Sequence, residues 1–219
     1  MKSKNTENLR IARIEKINGA PALTVDGRPI PMMAYQWRLG MTIDDDPTHD
    51  SRWMVENMVK AGVELYFTRF IMDSPERFDE YYDIFMEEMR LLTDCCPDAL
   101  VMPWVQIAPY AEFAEKYPGD VITFEDGSAD AWNSARETGL PKKNSPRFTF
   151  ASGAWRAEVG GMLREMIHRL MDSPYVRNII GYFFFVFDQE FSYFFEFDSG
   201  KHCIDFSPAM QQCFRNYLA

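Results

Sequence analysis

Short apolar runs alternate with longer amphipathic segments along most of this chain, and that alternation predicts βαβ units built around a parallel sheet. The last run, NIIGYFFFVF, is apolar at nearly every position, as expected for a parallel strand covered on both faces. The predicted parallel strands are residues 31–37, 63–70, 99–107 and 178–187.

Each predicted strand is followed by a segment with helical signals. The clearest is the second helix, because Ser74-Pro75 is a strong helix start and apolar residues then recur at spacings of three and four. That apolar face is formed by Phe78, Tyr82, Phe85, Met89 and Leu92. Helices are predicted over residues 51–60, 75–95, 152–171 and 208–219.

The predicted fold class is therefore α/β, a single domain over residues 1–219 that forms a partial TIM (β/α)8 barrel. About four β/α units are preceded by a short β-hairpin over residues 22–30, where Asp26-Gly27 is the turn signal. A closed barrel needs eight units and ~250 residues. The long polar segment over residues 108–150 follows the third strand, at the barrel end where active sites form.

Composition narrows the classes of partner. A net charge of -10 disfavours a nucleic-acid partner, because an acidic surface repels phosphate backbones. The polar amino terminus has no apolar signal segment, and the longest apolar run is too short to cross a bilayer. We therefore expect a cytoplasmic protein without a membrane partner. The 4 Cys and 3 His have no metal-ligand spacing, so no metal and no cofactor is predicted.

Polar and aromatic residues near the carboxyl ends of the predicted strands are the candidate site, because these ends line the pocket of a parallel barrel. Trp37 and Trp104 could each stack on a sugar ring or fill the core. Arg69 is costly to bury alone, so it is expected to meet a carboxylate or a ligand. The candidates for substrate binding are Gln36, Trp37, Arg69, Trp104, Gln106 and Asp188, and the candidate for catalysis is Glu190.

Glu190 follows a very apolar strand and has aromatic neighbours in sequence. An apolar setting raises the pKa of a carboxyl group, which a general acid needs in order to hold a proton near neutral pH. Position alone nevertheless favours a solvated loop glutamate over a catalytic one. Asp188, two residues away, is expected to support Glu190 or to accept a sugar hydroxyl.

Several segments, in order, resemble the amino-terminal half of the beta-galactosidase-like glycoside hydrolases, family forty-two, a family of retaining barrels. The matching segments are APALTVDGRPIPMMAYQW, VMPWVQIAPYAEFAEKYPGDV, FTFASGAWRAEV, SPYVRNIIGYFFFVFDQEF and DFSPAMQQCFRNYL. The resemblance implies retaining hydrolysis of a beta-glycoside, plausibly a beta-galactoside, with Glu190 as general acid/base. The family's nucleophilic glutamate follows a seventh strand, which these 219 residues do not contain.

The leading hypothesis is thus a glycosidase half-barrel that is a poor catalyst alone and takes a carbohydrate as its substrate. An alternative is a non-catalytic half-barrel that closes by pairing with a second copy or with a complementary half-barrel chain, because unpaired strand edges invite pairing. A third is an inactive truncated remnant.

Overall fold

The computed structural model of the chain describes residues 9–40, 46, 48–107, 111–129, 132–133, 144–145, 147–186 and 205–219. In chain order the strands are β1 (Ala12–Ile17), β2 (Ala20–Val25), β3 (Arg28–Ile30), β4 (Ala34–Trp37), β5 (Leu65–Met72), β6 (Leu100–Ile107), β7 (Trp132–Asn133), β8 (Asn144–Ser145) and β9 (Phe183–Val186). The helices are α1 (Ser51–Lys60), α2 (Phe78–Cys95), α3 (Ala111–Lys116), α4 (Gly153–Asp172) and α5 (Pro208–Leu218). The described residues fall into two compact units, the first drawn from residues 1–70, 79–105 and 165–184, the second from residues 71–78, 106–164 and 185–219.

A four-stranded sheet with the order β4-β5-β6-β9 follows the chain order, as the predicted βαβ units require. The strands pair in parallel, with Gln36 opposite Phe67 and Trp37 opposite Thr68. The fold is therefore confirmed as mixed α/β with a parallel sheet. The fourth strand is shorter than predicted, since it begins at Phe183 and Ile179 makes only an isolated parallel bridge to Val101.

A three-stranded antiparallel sheet precedes the parallel one, in the order β1-β2-β3. The predicted Asp26-Gly27 turn joins β2 to β3, and both of its residues have positive φ, at 52° and 78°. A second turn of the same kind, at Asn18-Gly19, joins β1 to β2. Strand β1 was not predicted, because most of its residues are exposed and its apolar alternation extends only over Ala12 and Ile14.

The antiparallel sheet packs against the beginning of the parallel strands. Leu23, Val25 and Ile30 of β2 and β3 form one buried cluster with Leu65 and Leu100, the first residues of β5 and β6. This contact fills the amino-terminal end of the parallel sheet.

Local capping fixes where the long helices begin. The Asp50 side chain accepts a hydrogen bond from the Trp53 N–H at 2.9 Å, and the Ser152 hydroxyl accepts one from the Trp155 N–H at 2.9 Å. Ser207 does the same for α5 through the Met210 N–H. A short 3-10 turn, Pro75–Arg77, precedes α2. The helix boundaries agree with the predicted ones to within a few residues.

The second compact unit contains the described part of the long segment after β6. Aromatic rings hold it together, and Phe148 lies between two of them, at ring-centroid distances of 5.9 Å from Phe113 and 4.7 Å from Trp155. The Ser152 hydroxyl also donates to the Asp120 carboxylate, which ties the start of α4 to this segment. The predicted polar segment therefore has an apolar core of its own among its described residues.

Candidate functional site

The two faces of the parallel sheet differ in the first unit. On β5, Thr68 and Phe70 point toward the helices, since the Phe70 ring lies 5.4 Å from that of Phe85 on α2. Side chains alternate along a strand, so Phe67 and Arg69 point to the opposite face. Thr68 and Phe70 are buried, whereas Phe67 and Arg69 are only partly buried. The face away from α2 is the accessible one.

Side chains on this accessible face converge over the middle strand. The Phe67 ring of β5 lies 5.6 Å from the Phe183 ring of β9, although β6 runs between these two strands. The Arg69 guanidinium carbon lies 5.8 Å from the centroid of the Trp104 ring on β6, within the range of a cation–π contact. We call the surface formed by Gln36, Phe67, Arg69, Trp104 and Phe183 the aromatic face.

Gln36 joins the aromatic face through strand register. It is exposed and pairs with Phe67 across the β4–β5 ladder, and paired residues of neighbouring strands share a face. An exposed amide next to aromatic rings can donate and accept hydrogen bonds. The structure therefore brings Gln36, Arg69 and Trp104 of the predicted site to one surface.

Trp37 lies elsewhere. It pairs with Thr68 on the helix-facing side of the sheet and is 1% exposed. Its Nε1 atom has no hydrogen-bond partner among the residues that the structure describes. The sequence left two roles for Trp37, stacking on a sugar ring and packing in the core. Its buried, helix-facing position favours core packing.

Three predicted residues are not among those that define the aromatic face. Gln106 belongs to the second compact unit and is buried. Asp188 and Glu190 lie outside the described residues, so the acid/base role of Glu190 stays a prediction.

One buried titratable residue on the helix-facing side of the sheet was missed from the sequence. Glu88 of α2 is 2% exposed, and its Oε1 atom accepts a hydrogen bond from the Leu39 N–H at 3.0 Å. Burial raises the pKa of Glu88 to about 7, against the opposing influence of the Leu39 and Arg69 N–H groups and of the Arg69 and Arg38 charges. The signal was present, because position 88 falls three residues after Phe85, on the apolar stripe of the helix.

The described residues include no group of three or more His, Cys, Asp or Glu side chains arranged to hold a metal ion. Among the same residues, no helix has the length and apolar character needed to span a bilayer.

No protein-family model matches this chain, and no curated protein matches it either. The resemblance to glycoside hydrolases therefore rests on the quoted segments alone.

Proposed function

We propose that this chain is part of a glycoside-hydrolase-like (β/α) barrel and that its aromatic face binds a beta-linked carbohydrate, plausibly a beta-galactoside. The observation that supports this proposal most strongly is the Arg69–Trp104 pair on the accessible face of parallel strands that follow each other in chain order. Helix α2 packs on the other side of β5, and an antiparallel sheet packs at the amino-terminal end of the parallel strands, as expected for a barrel with its site at the carboxyl ends.

The residues of the aromatic face suit a neutral sugar. The rings of Trp104, Phe67 and Phe183 offer flat apolar surface to the C–H side of a pyranose, while Gln36 and Arg69 can hydrogen-bond its hydroxyl groups. The guanidinium over the Trp104 ring also restricts the indole before a ligand arrives, which reduces the entropy lost on binding.

The proposed chemistry places Glu190 as the general acid/base that protonates the glycosidic oxygen and then deprotonates water. A retaining mechanism also needs a second carboxylate ~5–5.5 Å away as nucleophile. In this proposal that group comes from residues outside this chain, so the chain by itself binds the sugar without hydrolysing it.

Calorimetric titration with a series of beta-galactosides and other beta-glycosides tests the proposal. We expect saturable binding that Trp104→Ala weakens at least about tenfold, which corresponds to ~1.4 kcal/mol. Trp53→Ala is the matched control, because Trp53 is also partly exposed but lies on α1, outside the aromatic face. Equal losses in both variants would contradict a site at the aromatic face.

A second candidate function is assembly without catalysis. Phe183 and Phe184 of β9 are 45% and 49% exposed, and β4 and β9 are the outer strands of the parallel sheet within the described ranges. Outer strands with exposed apolar side chains favour pairing with another chain. Two copies supply eight parallel strands, the number in a closed barrel.

Sedimentation velocity over a range of protein concentrations distinguishes the two functions. If the chain assembles, it dimerises as concentration rises, and Phe184→Glu shifts it to monomer. Ile84→Glu is the control, because Ile84 is similarly exposed but lies on α2. A wild-type chain that stays monomeric at every concentration removes this candidate.

A further inference from the structure

Glu88 is a carboxylate in an apolar layer. It lies on the buried side of α2 beside Phe85, Met89 and Leu92, all of which are fully buried. The other carboxylates of this helix are all exposed, namely Asp79, Glu80, Asp83, Glu87 and Asp94. A carboxylate in this layer costs free energy whenever it is ionised, unless its oxygens find partners.

The partners of Glu88 come from the segment after β4 and from β5. Its Oε1 atom accepts from the Leu39 N–H, and its buried Oε2 atom has no hydrogen-bond partner among the described residues. The charged groups that act on it are Arg38, next to Leu39, and Arg69 on β5. On α2 itself, Glu87 and Arg90 are exposed and pair with each other, with the Arg90 Nε donating at 2.9 Å.

The two sides of this contact differ in how readily they can move. The α2 side is fixed by the buried residues that flank Glu88. On the other side, Arg38 and Gly40 are exposed and Leu39 is only partly buried. Water therefore reaches the carboxylate at the smallest cost if the segment over residues 38–40 moves and α2 stays in place.

We propose that Glu88 is a proton-operated tether, whose neutral carboxyl group holds the segment over residues 38–40 against α2 and whose ionisation releases that segment. The pKa of about 7 puts this change near neutral pH. The neutral form is the one that the buried position favours, because burial outweighs the two N–H groups and the two arginine charges.

The tether controls a segment directly beyond Gln36 and Trp37. Opening it changes the access of water to the end of β4, where the aromatic face begins. The tether does not depend on what the aromatic face binds, and its test contains no carbohydrate.

Hydrogen exchange at the Leu39 amide, followed by NMR from about pH 5.5 to about pH 8.5, tests the tether, since this range brackets the point of half-ionisation. In the wild type the protection factor, corrected for the intrinsic pH dependence of exchange, should fall about tenfold per pH unit as the pH rises to about 7 and should level off above that pH. Glu88→Gln, which keeps the shape of the side chain and cannot ionise, should give a protection factor that does not change with pH. Glu87→Gln, one position along the same helix and exposed, should behave as the wild type does.

A flat wild-type profile, or a Glu88→Gln profile that falls like the wild type, would overturn the proposal. Carbon-13 NMR of the Glu88 carboxyl group in the unmodified chain gives a second measurement that needs no variant to fold. Titration near 4.5, the ordinary value for a glutamate, would equally overturn it, and titration near 7 is the expected result.

Discussion

Arg69 and Trp104 were predicted correctly to lie close to the same surface of the sheet. Both were predicted site residues, and the structure places one over the other at 5.8 Å. Trp37 was predicted on the same reasoning, yet it faces the helices. The difference is one of parity: a shift of one residue in a strand moves a side chain to the opposite face, and near a strand end the sequence does not fix that choice.

Glu88 gives a residue-scale prediction about stability and pH. Because its pKa is raised from 4.5 to about 7 in the folded chain, the folded state keeps a proton that the unfolded state has lost. The proton bound to Glu88 stabilises the folded state fully below pH 4.5, and this stabilisation is lost as the pH rises from 4.5 through about 7. Relative to Glu88→Gln, the wild-type free energy of unfolding should therefore fall by up to about 3 kcal/mol between these two pH values.

Urea unfolding of the wild type and of Glu88→Gln at a series of pH values measures this difference. Glu87→Gln should track the wild type at every pH. A constant offset between the wild type and Glu88→Gln would show that the carboxyl group does not change its ionisation between pH 4.5 and about 7.

At the scale of helices and strands, the sequence predicted those that have strong apolar patterns. The four parallel strands and the long helices have clear periodicity and capping residues, and the structure has them close to the predicted positions. Strand β1 was missed because it is a largely exposed edge strand whose apolar alternation is too short to stand out. Strand β9 begins late because the Asn178 amide bonds to the Pro97 and Ala99 carbonyls, which holds the chain in a turn before the strand.

The antiparallel sheet gives a prediction for Gly27. This residue has φ of +78° in the turn between β2 and β3, a conformation that costs a residue with a side chain about 1 kcal/mol or more. Gly27→Ala should lower the free energy of unfolding by that amount in urea titrations. Gly153→Ala is the control, because Gly153 begins α4 without a positive φ and has open space around its Cα, so alanine should be neutral or slightly stabilising there.

At the scale of the whole molecule, strand order supports the barrel proposal. The proposed half-barrel is consistent with four parallel strands in chain order, with α2 packed on one side of β5 and with a three-stranded sheet at the amino-terminal end. The sequence could predict this layout because it depends on periodicity and turns. It could not give the geometry of the proposed acid/base Glu190, because periodicity carries no signal in the predicted loop after the last strand, and the proposed nucleophile lies outside these 219 residues.

Calorimetric titration of the purified chain with beta-galactosides tests the central claim most directly, since it asks whether the aromatic face binds a sugar at all. The account predicts saturable heat in the wild type and in Trp53→Ala, and a loss of at least about tenfold in affinity in Trp104→Ala. A folded wild-type chain that binds no beta-glycoside in the series, or that binds one equally well without the Trp104 ring, would contradict it.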